Sequence, residues 1–338
     1  MEYSLSGCAP INYPTETLFA LLYGANGDTI AMPKEVPFMS EWGCSNSILC
    51  ALEADLSMPV KIDMIWLSIL ERKFYSLEKN IRGEYITQLL EKSEEDKTII
   101  IGMAPYGQIA LWVNDTSKSY IVDWLQADEI VISMEDFLQG SCAMSLENYC
   151  EAVIHSVNLK NYSLPPRNLF DKYMQQFTYR YIPLFEKWVD KDDEKWRKYD
   201  EDDKVIPEFE YIEEALYDGT HDKLHDDGLL KYHEAGKPKK LTVKWHVKKS
   251  EYTAYFWFED KEICAIFDKF YGAHRDTKMD FIVHIDPEKN KYELALYRYG
   301  LKKPQVITES AYQLIVFKSK FECYRSENYN QPKGAWIW

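Results

Sequence analysis

A pair of related segments, one around Trp66 and one around Trp245, constrains the fold of this chain more than any other feature of its sequence. Aligned on the two tryptophans, the first segment reads IDMIW and the second reads LTVKW. Apolar residues fall at every second position in both, as they do in a β-strand that buries one face. We therefore predict a strand that occurs twice, in two copies of one domain.

The opposite faces of the two strands differ in character. The first strand places Ile65, Leu67 and Ile69 there, and the second places Lys244, His246 and Lys248. An apolar second face predicts a strand that is covered on both sides, whereas a basic second face predicts contact with solvent or with a partner. We therefore take the three basic residues as candidate partner-binding residues.

Each tryptophan strand is followed by the same series of predicted elements. An aromatic strand comes next, and an amphipathic helix follows it, at residues 83–92 in the first copy and 261–270 in the second. Two further strands, joined by a turn, complete each copy. The series predicts an α+β fold: two related antiparallel β-meander domains, each with a helix, joined by a helical connection.

The length of the chain allows separate domains with cores of their own. We place the first copy at residues 1–140, a helical and acidic connecting region at 141–235, and the second, diverged copy at 236–338. Within the connection we predict helices over 145–157 and 165–185, the second opened by two prolines, which a first helical turn tolerates.

The chain is acidic, with a formal net charge of −15. This charge argues against nucleic-acid binding, because phosphates would be repelled, and it suits a basic protein partner, whose approach an acidic surface accelerates. The densest acidic run lies in the connecting region and adds the candidate partner-binding residues Asp190, Asp192, Asp193, Glu194, Asp200, Glu201, Asp202 and Asp203. The alternative is that these acids form a solvated face.

Four segments of the first copy carry a resemblance to a known family. They read CAPINYP, MIWLSILERKFYSLEKNI, IIIGMAPYGQIALWV and VDWLQADEI. Together they resemble the bacterial family called domain of unknown function 2931, over about residues 7–130. The resemblance implies a strand that begins at Ala9-Pro10, which would place Cys8 in the lead-in to that strand. It brings no established catalytic residues, and it implies accessory or immunity proteins of antibacterial toxin systems.

The signatures of common enzymes are absent from the sequence. It contains no GxSxG, P-loop, HExxH or GxGxxG motif, and all seven histidines lie after residue 150. Adjacent acids such as Glu213 and Glu214 would point about 100° apart on a helix, so we interpret them as surface charges rather than as an acid/base pair. The sequence therefore predicts a protein that is not an enzyme and has no cofactor.

One histidine-rich stretch, GTHDKLHDDGLLKYHEAGK, has residues that can bind metal. On a helix, His221 and His225 would share a face and could hold one metal ion, with His233 or Glu234 as a third ligand. The other interpretation is a polar turn with no metal. We favour the turn, because Thr220 as a helix cap and a stop a few residues later leave little room for a helix.

The seven cysteines lack CxxC spacing and suit reduced thiols in a cytoplasmic protein. LSGC at residues 5–8 has the residue types of a lipobox, and many relatives in the family look like lipoproteins. A cleavable signal needs a basic start and an apolar stretch of roughly 7–15 residues, and only MEYS precedes Leu5. We expect Cys8 to be an ordinary residue, with a lipid-anchored Cys8 as the alternative. No apolar run reaches the roughly 20 residues that span a bilayer.

These observations together favour a binding protein. The expected function is that of a non-catalytic, immunity-type inhibitor that neutralises an antibacterial toxin by direct protein–protein contact. The alternative is a glycan-binding or structural accessory protein related to bacterial surface lipoproteins. The acidity favours the first, because a neutral glycan gives the acids no obvious task.

Overall fold

In the computed structural model, the chain divides into two units. Unit 1 comprises Met1–Met174 and Asp218–His221, and unit 2 comprises Gln175–Tyr217 and Asp222–Trp338. The residues that the structure describes are 2–34, 37–44, 56–92, 97–115, 117–140, 144–160, 162–184, 208–247, 250–272, 277–286, 291–298, 304–308, 310–319 and 322–326.

Unit 1 is built from two sheets. Its strands are β1 (Ser4–Cys8), β2 (Thr15–Gly24), β3 (Thr29–Ala31), β4 (Pro59–Ser68), β5 (Lys73–Asn80), β6 (Thr98–Ala104), β7 (Gln108–Asn114), β8 (Ser119–Gln126) and β9 (Asp128–Ile130). One sheet has the order β1-β6-β7-β8 and the other has the order β3-β2-β4-β5-β9. The alternation of apolar residues along β4 and β6 turns one face of each sheet towards a shared core.

The helices of unit 1 are α1 (Gly83–Lys92), α2 (Met134–Phe137), α3 (Leu146–Ser156) and α4 (Leu169–Tyr173). Helix α1 begins and ends at the predicted residues. It contacts β4 of one sheet and both β7 and β8 of the other, and it buries Ile86, Leu89 and Leu90 in the core between them. The apolar stripe of this helix therefore closes the core, as its 3.6-residue periodicity predicts.

Unit 2 has strands β10 (Phe177–Leu184), β11 (Glu208–Leu216), β12 (His221–Leu224), β13 (His233–Ala235), β14 (Pro238–Val247), β15 (Ser250–Phe258), β16 (Met279–Asp286), β17 (Lys291–Tyr297), β18 (Gln305–Ile307), β19 (Ser310–Ser319) and β20 (Glu322–Ser326). Its helices are α5 (Asp226–Leu229) and α6 (Asp260–Tyr271). One sheet has the order β13-β10-β16-β17-β18 and the other has the order β12-β11-β14-β15-β19-β20.

The two units share one topology. Strand β10 pairs with β16 in parallel, as β1 does with β6, and α6 lies in the chain between β15 and β16, as α1 does between β5 and β6. The register shifts at Thr17/Phe19 and Tyr23/Gly24 of β2 recur at Phe209/Tyr211 and Ala215/Leu216 of β11. Each register shift is a local irregularity in the hydrogen-bond ladder between two strands. Such irregularities at matched positions of both units support a duplicated fold. The predicted α+β fold of two related β-meander domains is confirmed.

The tryptophans that define the repeat are equivalent in the structure. Trp66 lies opposite Tyr75, with ring centroids 5.5 Å apart, and Trp245 lies opposite Tyr252, with centroids 5.3 Å apart. Both indole rings are fully buried. The repeat detected in the sequence therefore marks the central strand of each unit.

The structure corrects the predicted helical connection. Helix α3 confirms the helix predicted over 145–157, but the second predicted helix, over 165–185, is reduced to the short α4. Residues of β10 and β11, which were assigned to the connection, are strands of unit 2. The second copy therefore starts at Phe177 rather than at residue 236. Strand β10 pairs with β16 and is part of the sheet β13-β10-β16-β17-β18.

Helices cover one end of the second face of the unit 1 sheet. Leu67 and Ile69 are buried against Phe137 of α2 and against Val153 and Ile154 of α3. The expectation that β4 is covered on both sides is confirmed at Leu67 and Ile69, whereas Ile65 on the same face stays partly exposed. Across the described parts of the chain, no helix is both long and apolar enough to cross a membrane.

Candidate functional site

The basic face predicted on β14 carries a network of ion pairs. Lys244 Nζ lies 3.3 Å from Glu210 Oε2 and 3.2 Å from Glu251 Oε1, and His246 Nε2 lies 2.7 Å from Glu210 Oε2. The side chains keep between 20% and 37% of their surface exposed. The face is therefore partly open to solvent, but its cations are neutralised by neighbouring strands rather than free.

The pKa values of Glu210 and Lys244 are shifted within these pairs. Partial burial alone would raise the pKa of Glu210, but hydrogen bonds from His246 and Lys244 lower it below its usual value. Partial burial alone would lower the pKa of Lys244, and Glu251 and Glu210 raise it. Both Glu210 and Lys244 are therefore held in their charged forms.

Half-buried aromatic rings lie on the same face of the sheet. Tyr255 and Trp257 are stacked with their ring centroids 5.9 Å apart, and Lys240 Nζ lies 5.4 Å from the centre of the Tyr255 ring. Tyr211, which lies opposite Lys244, has Lys223 Nζ at 3.9 Å from its ring centre. We call the set the outer face of unit 2, and it consists of Glu210, Tyr211, Lys223, Lys240, Lys244, His246, Glu251, Tyr255 and Trp257.

All eight predicted acidic partner-binding residues lie outside the part of the chain that the structure describes. They are Asp190, Asp192, Asp193, Glu194, Asp200, Glu201, Asp202 and Asp203, and Lys248 lies outside it as well. Only Lys244 and His246 of the predicted set are positioned by the structure. The aromatic residues and glutamates around them were not among the predicted residues.

The histidine-rich stretch does not form the helix on which two ligands would share a face. His221 begins β12, His225 precedes α5, and His233 begins β13. His225 Nδ1 lies 3.2 Å from the backbone oxygen of Glu210. Within the described residues, no group of three or more His, Cys, Asp or Glu side chains is arranged to hold a metal ion.

A buried polar cluster in unit 2 was missed by the sequence interpretation. Glu214 is 1% exposed and accepts hydrogen bonds from the hydroxyls of Tyr181 and, at 3.3 Å, of Tyr179. His233 Nε2 lies 3.4 Å from Glu214 Oε1, and its ring centre is 5.1 Å from that of Tyr179. The interpretation of Glu214 as a surface charge is wrong, because β11 is a strand that turns this residue inwards.

The cluster perturbs the titration of its own members. Burial, and then the charge of Glu214, raise the pKa of Tyr181 well above its usual value. For His233, burial favours the neutral ring, but the Glu214 carboxylate outweighs it and raises the pKa above the usual 6.5. The sequence does contain a signal for one strand of this cluster. Phe177, Tyr179 and Tyr181 stand at every second position, the pattern of a β-strand with one buried face, and this pattern predicts β10.

Cys8 lies within the core of unit 1. It is the last residue of β1, so the strand ends before Ala9-Pro10 instead of beginning there. The side chain is completely buried beside Trp42 and Trp112, and burial raises the pKa of the thiol far above its usual range. In this fold Cys8 is a packed core residue.

These features define a class of protein: an α+β protein made of two copies of one β-meander domain, the second with a partly open, aromatic and charged sheet face. Residues 1–165 match the model of the family described as "Protein of unknown function (DUF2931)". The match confirms the resemblance found in the first half of the sequence. Comparisons with curated proteins and with solved structures give no match.

Proposed function

We propose that this protein is a non-catalytic binding protein of the immunity type, which neutralises an antibacterial toxin by direct contact. The outer face of unit 2 is its proposed binding surface. The observation that carries the proposal is a difference between the two copies at one end of this sheet face: α2 and α3 bury Leu67 and Ile69 in unit 1, whereas His246, which matches Leu67 in the repeat, stays partly exposed in unit 2.

The composition of the outer face suits a protein partner. Tight protein interfaces concentrate their binding energy in a few aromatic and arginine side chains, surrounded by polar groups that exclude water. Tyr255 and Trp257 provide stacked rings, and the ion pairs of Glu210 and Glu251 lie on the same face. Over the whole chain, the net charge of −15 favours the approach of a partner with a basic surface, and on the outer face itself Glu210 and Glu251 are the acidic groups.

The genomic neighbourhood supplies the partner for a direct test. If the gene lies directly downstream of a toxin or secreted effector gene, the two proteins are co-expressed in a sensitive bacterium and survival is measured. We expect the protein to restore growth and to co-purify with the toxin. If it does neither, while a glycan array gives saturable binding, the alternative of a glycan-binding accessory protein replaces this proposal.

Single substitutions locate the interface. Trp257→Ala removes a half-buried ring from the outer face and is expected to weaken toxin binding by about 2 kcal/mol, roughly 30-fold in Kd. Tyr162→Ala, at an exposed aromatic residue of unit 1, is the matched control and should leave the Kd unchanged. Equal affinities for the two variants, both shown to be folded by circular dichroism, would place the interface elsewhere.

A further inference from the structure

A cavity of about 370 Å³ opens on unit 1. It is formed by the turn after β4, the start of β5, the turn after β6, the end of β8 with β9, and the connection before α4. Its lining residues are Leu70, Glu71, Lys73, Tyr75, Tyr106, Gln126, Ala127, Glu129, Leu164 and Arg167. Three of the four segments that resemble the family therefore meet at this cavity.

Tyr106 forms one wall in a strained backbone conformation. Its φ is 66°, in the left-handed region that residues with bulky side chains rarely occupy. Its backbone N–H donates to Glu71 Oε2 at 2.8 Å, and its backbone oxygen accepts from Gln126 Nε2 at 2.8 Å. Its hydroxyl donates to the backbone oxygen of Pro165 at 2.6 Å. Such strain persists only where the surroundings fix it, and it clusters at functional sites.

Glu71 is a structural anchor of the cavity. Besides the Tyr106 N–H, its carboxylate accepts from the Ser68 hydroxyl at 2.7 Å and from the Tyr75 hydroxyl at 2.9 Å. Because the Glu71 carboxylate already accepts three hydrogen bonds, most of its hydrogen-bonding capacity is used within the protein. Gly107, at φ 72°, lets the backbone approach the Tyr75 ring, because a Cβ there would lie 2.7 Å from Tyr75 Cδ1. The two tyrosine walls are thus held rigidly.

The charges at the mouth of the cavity are paired with one exception. Lys73 Nζ lies 2.6 Å from Glu129 Oε2. Arg167 is exposed, and its guanidinium lies 5.3 Å from the centre of the Tyr106 ring. Within the described residues, no ion pair joins Arg167 to a carboxylate. Its planar fork of N–H donors is therefore available at the mouth of a preformed cavity.

We propose that this cavity binds a monocarboxylate carried on an apolar group, with Arg167 holding the carboxylate and the rings of Tyr106 and Tyr75 and the side chain of Leu164 contacting the apolar part. A guanidinium and a carboxylate form two parallel hydrogen bonds, the geometry in which arginine is most selective. The volume is in the range of small-molecule sites, which are mostly apolar with a few convergent polar groups.

The charge balance favours a carboxylate over a phosphate. Lys73 and Arg167 contribute two positive charges, which Glu71 and Glu129 already match. A monoanion adds one charge to this neutral set. A phosphate dianion adds two, and because Arg167 is the one cation among the described lining residues without an ion pair, the second charge of the dianion would lose its water without gaining a partner. The proposal does not depend on the proposed toxin-binding function, because it concerns another unit and another surface.

Binding of defined probes to the full chain tests the proposal. The first probe is 3-phenylpropanoate, and its matched control is 3-phenylpropanamide, which has the same shape without the charge. We expect saturable, millimolar binding of the acid by calorimetry or by chemical-shift perturbation, and no saturable binding of the amide. If the acid does not bind, or if the amide binds equally well, the proposal is overturned.

A second pair of probes distinguishes two sources of the carboxylate. The peptide acetyl-Ala-Ala-Phe with a free C-terminus is compared with the same peptide amidated. Tighter binding of the free-acid peptide than of 3-phenylpropanoate identifies a peptide C-terminus as the ligand. Tighter binding of 3-phenylpropanoate identifies a free small molecule, and either result supports a carboxylate site.

Two variants connect the binding to Arg167. Arg167→Gln is expected to weaken binding of 3-phenylpropanoate by at least about tenfold, and Arg167→Lys by less, because lysine keeps the charge but loses the fork. Lys160→Gln removes an exposed cation of the same connection outside the cavity and is the control for net charge. Unchanged binding by a folded Arg167→Gln variant would overturn the proposal.

Discussion

Glu214 in unit 2 occupies the position that Leu22 occupies in unit 1. Leu22 of β2 lies opposite Ile62, and Glu214 of β11 lies opposite Leu241, which matches Ile62 in the repeat. Both side chains are 1% exposed. Duplication therefore left a carboxylate in one core where the other core has a leucine.

The residues around Glu214 changed with it. By the matched parallel registers of β1 with β6 and of β10 with β16, Tyr181 stands where unit 1 has Leu5. Its hydroxyl donates to the Glu214 carboxylate, so the buried charge has a partner from the opposite sheet. An isolated buried carboxylate is costly, and hydrogen bonds from buried hydroxyls offset that cost.

Replacing the buried carboxylate should destabilise unit 2. Glu214→Leu restores the residue type of unit 1 but leaves the Tyr181 hydroxyl without its acceptor and His233 without its ion-pair partner, so we expect the free energy of unfolding to fall by about 3 kcal/mol. Urea denaturation measures the change. Glu213→Gln, at the exposed neighbour, should change stability by less than about 0.5 kcal/mol. Adding Tyr181→Phe to Glu214→Leu removes the hydroxyl that has lost its acceptor and should recover roughly 1 kcal/mol of unfolding free energy. If the losses of the two single variants simply added in the double variant, the interaction between Tyr181 and Glu214 would be contradicted.

The stability of unit 2 should depend on the protonation of His233. Burial alone would lower its folded-state pKa, but Glu214, with smaller effects from the Lys231 backbone oxygen and from Asp222, raises that pKa above the usual 6.5. The folded state therefore binds the proton more tightly than the unfolded state does. The resulting stabilisation is complete below about pH 6.5 and is lost as the pH rises through the folded-state pKa.

Urea unfolding at a series of pH values checks this dependence. His233→Gln should remove the part of the stability that declines above about pH 6.5. His155→Gln, at an exposed histidine of α3, is the matched control and should keep the slope of the wild type. The same slope in the wild type and in His233→Gln would show that another group titrates.

Removing the charge of Glu71 should loosen the wall of the cavity in unit 1. Glu71→Gln turns one acceptor oxygen into an amide donor that faces the Tyr106 N–H or the Tyr75 hydroxyl, so we expect a loss of about 2 kcal/mol. Chemical denaturation measures the loss. Glu129→Gln breaks only the exposed pair with Lys73 and should cost less than about 1 kcal/mol. If Glu71→Gln and Glu129→Gln lowered the free energy of unfolding equally, the three hydrogen bonds of Glu71 would not stabilise the turn at Tyr106.

Cys8 should be unreactive in the native protein. Its thiol is fully buried and its pKa is raised, so the thiolate that reacts with alkylating reagents is scarcely formed. Native labelling with iodoacetamide, followed by peptide mass spectrometry, should leave Cys8 unmodified and modify the partly exposed Cys44 first. Complete labelling of both in urea is the control. Rapid native labelling of Cys8 would show that the β1 strand opens readily.

The sequence by itself determined the repeated elements. The two-residue alternation around Trp66 and Trp245 predicted the central strands, and a 3.6-residue stripe predicted α1 and α6, both of which the structure contains. These signals are reliable because each strand or helix buries one face of its own, so its periodicity is written in consecutive residues.

Only the tertiary structure decided which strands begin the second copy and which polar groups are buried. β10 joins its sheet through β16, about a hundred residues later, and the partners of Glu214 come from β10 and β13. The cavity likewise needs Glu71, Tyr106 and Arg167 from three separate segments. Local periodicity does not report such long-range pairings, because burial of a polar side chain depends on donors and acceptors that distant strands bring to it.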